Sequence, residues 1–175
     1  MLCARLLLLD SRFNIDIPYD GFYSPMDVLV EYGDIQTIEC WIASGRDMLV
    51  RGATLKAAKD GGYDNIANLL VLFLEKKEET RHEVRIAHRW YDIRAAQIFA
   101  IVVFVSDALL GIGEGATATT PASRFFRIAL RLPLELQMLL CNKAAGSGNE
   151  TIYGRDSEVA FKELAKGVLM QEWFA

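Results

Sequence analysis

Ser24-Pro25-Met26-Asp27-Val28-Leu29-Val30-Glu31-Tyr32-Gly33-Asp34-Ile35-Gln36-Thr37-Ile38-Glu39-Cys40-Trp41-Ile42-Ala43-Ser44-Gly45 reads as two short helices with their start and stop signals in place. Ser24 has the side chain of an N-cap, and Pro25 suits the first helical position, where its missing N–H costs nothing. Val28, Leu29 and Tyr32 predict the apolar face of this first helix, and Gly33-Asp34 breaks it. Ile35, Ile38, Trp41 and Ile42 then recur at the spacing of one helix face, which predicts a second helix closed by Ser44-Gly45.

The same phrase returns downstream. Ala53-Thr54-Leu55 opens a helix, Gly61-Gly62 breaks it, and Ile66, Leu69, Leu70 and Phe73 form the next apolar stripe. The glycine breaks lie 28 or 29 residues apart, depending on which glycine is matched. A helix–turn–helix unit repeating near that period implies a solenoid, because one helix pair cannot bury its apolar face alone. Upstream, Leu6 to Leu9 run into Asp10-Ser11-Arg12-Phe13-Asn14-Ile15-Asp16, and Pro18, Asp20 and Gly21 mark a turn before Ser24.

From Glu75 to Glu83 the chain is a polar run, read as a solvated helix end or linker. The second half changes character. Ile86 to Leu110 reads as one long helix or two consecutive ones. Gly111-Ile112-Gly113-Glu114-Gly115 and Thr117 to Pro121 form a loop, Ser123 to Leu132 a helix, and Pro133 restarts a helix through Leu140. Gly146-Ser147-Gly148-Asn149 is a turn. Ser157 is expected to cap a last helix carrying Val159, Phe161, Leu164, Val168 and Leu169. No strand-period alternation of any length occurs, so the chain is expected to be all-α, in two parts, residues 1–78 and residues 79–175.

The first half resembles the ankyrin repeat family. Ser24-Pro25-Met26-Asp27 stands where that family has Thr-Pro-Leu-His. Tyr32-Gly33-Asp34 matches its Gly-His break, Ile35 to Ile42 its second helix, and Ala43-Ser44-Gly45-Arg46-Asp47 its closing Gly-Ala-Asp turn. Leu6 to Asp16 is similar to the end of a preceding, truncated repeat. Asp27 takes the place of the family's histidine, which bridges neighbouring turns through hydrogen bonds, and Thr54 stands where the next repeat would have its proline. The resemblance covers about residues 4–75. It implies a short ankyrin-like helix–turn–helix solenoid followed by a helical bundle, residues 79–175, that caps the last helix pair. Thr80-Arg81-His82-Glu83-Val84-Arg85 and Leu132-Pro133-Leu134-Glu135-Leu136-Gln137-Met138 resemble the helical tail of some eukaryotic or large-virus ankyrin proteins. A chain that starts inside a repeat implies a longer N-terminus or a covering partner. Self-association through the uncapped N-terminal repeat is one such cover.

The resemblance also implies a function, the binding of another protein on the concave face made by turn tips and first helices. By position those residues are Tyr19, Asp20, Phe22, Tyr23, Asp27, Glu31 and Tyr32. Aromatic and acidic side chains there suit a basic or arginine-bearing partner, with some of the aromatics packing between repeats instead.

Composition excludes several classes. The net charge of −4 is spread along 175 residues, without the basic stripe that nucleic acid requires. Cys3, Cys40 and Cys141 have no metal spacing and read as buried free thiols of a reducing, cytoplasmic setting. His82 and His88 fall on different helix faces, His82 exposed and His88 on a helix surface, and no nucleophile has a recognisable base, so no enzyme, metal or cofactor is expected. The glycines 111, 113 and 115 follow a helical period and lead into Thr117 to Pro121, which excludes a dinucleotide loop. The apolar run after Arg5, Leu6 to Leu9, is too short for a secretion signal core, and no small-residue cleavage site follows. Residues 95–112 are the greasiest stretch, but Gln97, Ser106 and Asp107 interrupt it, which favours a buried core helix over a membrane-associated one. Residues 132–140 resemble the first helix of an F-box, an alternative that would make the chain a ubiquitin-ligase adaptor.

Overall fold

The structure is a computed structural model and describes residues 23–111 and 120–173. Those residues form nine helices and no strand: α1 Pro25–Glu31, α2 Ile35–Ser44, α3 Gly52–Asp60, α4 Asp64–Glu75, α5 Lys77–Ala87, α6 Trp90–Ser106, α7 Pro121–Ala129, α8 Leu134–Ala145 and α9 Gly154–Trp173. The all-α expectation holds. Two compact units divide between His88 and Arg89, later than the expected break at 78/79.

In the first unit, α1 and α2 form one packed pair and α3 and α4 another, with α1 beside α3 and α2 beside α4. Ser24 and Pro25 start α1 as the sequence implies. The Ser24 Oγ accepts from the Asp27 N–H at 3.3 Å, and the Asp27 carboxylate accepts from the Ser24 N–H at 2.9 Å, a reciprocal capping box. The buried face of α1 is Met26 and Val30, not the expected stripe, since Val28 is exposed and Tyr32 is 79% exposed. The two stripes lie on neighbouring sides of one short helix, and the side facing its neighbours is the one that is buried. In α2, Ile38, Trp41 and Ile42 are buried as expected, and Gly45 closes the helix in the left-handed conformation. Ile66, Leu70 and Phe73 do the same for α4.

The polar run is not a linker. It forms α5, which packs on α4 and α2. Arg81 lies buried with its guanidinium over the Phe73 ring, and its Nε donates to the Ile42 carbonyl at 3.2 Å. Arg85 Nε donates to the Ala43 carbonyl at 2.7 Å. These are carbonyls of the last turn of α2, that of Ile42 shared with the Gly45 N–H, and arginine is a favourable cap at that negative end. His88 Nε2 lies 2.9 Å from Glu39, and Lys77 bonds Asp47 at 2.7 Å.

In the second unit, α6 packs against both α8 and α9, and α7 against α8. Phe99, Val102, Ala129 and Cys141 form the core, with Phe161 of α9 stacked on Phe104 and edge-on to Phe99. The small residues Ala96, Ala100 and Ala160 let α6 and α9 approach closely. At the start of α6, Arg89 makes a two-point bond to Asp156 of α9, at 2.6 and 3.3 Å, and Asp92 accepts from Ser147 and Asn149. The helix α7 begins at Pro121 behind Thr120, two positions ahead of expectation, because Thr120 caps the Ser123 N–H. Ser157 lies inside α9 and donates to the Gly154 carbonyl, so it does not cap that helix. Phe161 and Leu164 pack on the core as expected, together with Ala160, whereas Val159 and Leu169 are exposed.

Candidate functional site

Asp27 is the centre of the first unit's polar chemistry. Besides Ser24, its carboxylate accepts from the Thr54 hydroxyl and, at 2.6 Å, from Arg51 Nη2. Thr54 is the third residue of α3, as Asp27 is of α1, and the Arg51 N–H bonds the Thr54 hydroxyl at 3.3 Å in the same relation as Ser24 to Asp27. The opening of one helix pair is therefore bonded to the opening of the next. Thr54 matches Asp27 rather than Pro25, because α3 is longer than α1. Burial pushes the Asp27 carboxyl up, but the hydrogen bonds of Thr54 and Ser24 and the charge of Arg51 outweigh it and hold it below 3.8.

A second link joins the turns at the far ends of α1 and α3. Gly33 adopts φ +66° and Gly61 follows α3 directly. A methyl group on Gly33 would lie 2.5 Å from the Tyr63 ring, and one on Gly61 2.9 Å from its other edge. Tyr63 is lodged between the two breaks, which explains why both are glycine.

Between these links lies a cleft of about 370 Å³. Tyr23, Asp27 and Glu31 line it from the α1 side, and Arg51, Ala53, Ala57, Gly61 and Tyr63 from the α3 side. Three of the sequence-predicted residues thus converge. Tyr32 is exposed but lies outside the cleft lining, and Tyr19, Asp20 and Phe22 lie outside the described residues. Asp27 is engaged internally. Glu31 is exposed and makes no hydrogen bond or ion pair with a described residue. The α3 residues were missed by sequence reasoning; the signal that could have found them is the recurrence of the α1 opening at Arg51 to Thr54.

Cys141 is fully buried, and burial pushes its thiol up to about 11. Cys40 is only half-buried, and Cys3 lies outside the described residues. His82 is exposed. Gly113 and Gly115 are also outside the described residues. No helix among the described residues is long and apolar enough to cross a membrane, and among them no three His, Cys, Asp or Glu side chains converge on a metal position. In α8, Leu134 and Leu136 are exposed while Gln137 and Cys141 face inward.

Compared with known proteins, the chain matches no family model, no curated protein and no solved structure.

Proposed function

We propose that this chain is a protein-binding module, a short ankyrin-type array with a helical tail, and that its partner is received on the face built by α1, α3 and the segments that open them. The observation that carries the reading is the convergence of Tyr23 and Glu31 with Tyr63 in one cleft across two adjacent helix pairs. The Asp27–Thr54 bond supports the repeat reading, because an aspartate there performs the turn-to-turn bridging that the ankyrin resemblance assigns to histidine. An exposed Tyr32 beside the cleft helix supplies an aromatic anchor of the type enriched at binding hot spots.

The test is affinity capture with the immobilised full chain, compared with a Glu31→Lys, Tyr32→Ala variant. Both substitutions lie on exposed side chains, so the variant should melt at the wild-type temperature. Proteins retained by the wild type and lost by an equally stable variant support the reading. An identical set of retained proteins overturns it.

A further inference from the structure

We infer that the cleft between α1 and α3 receives an arginine side chain of the partner, a step that rests on reading this face as the partner-binding one. The first argument is charge. The Asp27 carboxylate is neutralised by Arg51 and surrounded by the Ser24 and Thr54 donors. Glu31, on the same wall, has no cation among the described residues. The described lining is left with an uncompensated negative charge. Glu31 is also the last residue of α1, whose last turn holds no basic residue. The Val28, Leu29 and Val30 carbonyls of that turn are already taken by the Tyr32, Asp34 and Gly33 N–H groups, so it is the Glu31 carboxylate that draws an incoming positive group.

The second argument is the walls. Tyr23 and Tyr63 both line the cleft, and Tyr63 is fixed between Gly33 and Gly61 before anything binds. A guanidinium is planar, stacks on aromatic faces and pairs with a carboxylate through two parallel N–H bonds; an ammonium does neither with the same geometry. The third is shape. Ala53, Ala57 and Gly61 follow at four-residue spacing and leave the floor bare for an alkyl stem. About 370 Å³ is near the lower end of the roughly 300–1,000 Å³ of ligand pockets, a fit for one long side chain rather than a helix.

The test is a titration of the isotopically labelled full chain with N-acetyl-arginine methylamide, followed by NMR shifts. Saturable shifts are expected at Tyr63, Ala57 and Glu31 in the millimolar range. The citrulline analogue, equal in shape but uncharged, should give none. Glu31→Gln should weaken binding about tenfold, while Glu83→Gln on α5 leaves it unchanged. Absence of saturable shifts at those residues, equal binding of citrulline, indifference to Glu31→Gln, or equal binding of the lysine analogue overturns the assignment. Failure here together with success of the capture experiment removes the arginine occupant and leaves the protein-binding reading standing. Arginine binding together with failed capture keeps the cation cleft and removes the protein-binding reading.

Discussion

At Asp27, one carboxylate closes the capping box of α1 and ties the opening of α3 to it through Thr54 and Arg51. Its loss therefore acts on two helix pairs at once. Asp27→Asn should lower the stability of the first unit by about 2 kcal/mol at neutral pH, the scale of a hydrogen bond to a charged group. The penalty depends on pH with a defined sign. The carboxyl is held below 3.8 in the folded chain and returns to that value on unfolding, so the ionised form contributes its full stability above 3.8. That contribution drains away as pH falls through 3.8 toward the folded value. Thermal melts of wild type and Asp27→Asn should be well separated at neutral pH and converge in acid. Melts that coincide at neutral pH would show that the link carries no stability. This position was half legible: the N-cap Ser24 announces the helix start, but Asp27 was read as a surface contact. Nothing local in the sequence says that a residue 27 positions away will donate to it.

Among the elements, α5 holds the largest gap between sequence and structure. Lys77 to Ala87 is dense in charge, and charge in sequence reads as solvation. Arg81 is held by its guanidinium over the Phe73 ring, by the Ile42 carbonyl and by Glu78, and of these only the Glu78 pair, three residues away, has a helical spacing that the sequence shows. By contrast, α2 and α4 were legible because large apolar residues at helical spacing leave a single face to bury. Arg85→Ala should destabilise the first unit by roughly 1–3 kcal/mol, since it exposes no new donor but orphans the Ala43 carbonyl. Glu83→Ala, on the exposed side of the same helix, should be near neutral. Urea titrations of both variants check this, and equal effects would show that the arginine bond is incidental to α5 docking. The cleft was legible only from its α1 wall. The α3 wall consists of alanines, a glycine and a tyrosine that act by absence and position, and such residues carry no motif.

In the whole molecule, the division between His88 and Arg89 places α5 with the helices it caps. A fragment of residues 1–88 should therefore fold to a helical, cooperatively melting species. A fragment of residues 1–78 should not, because it lacks Arg81 and Arg85 and leaves the end of α2 and the flank of α4 uncovered. Circular dichroism melts of the two fragments decide it; equal cooperativity would favour a boundary at 78/79. The lodging of Tyr63 between Gly33 and Gly61 reaches furthest, because it binds the history of three positions together. A descendant chain that gains a side chain at 61 must first surrender the ring at 63. A chain that keeps the ring must inherit both glycines. Substitutions along this lineage are therefore expected to arrive in order and in company, with the trio changing as one heritable unit while exposed neighbours such as Tyr32 drift independently.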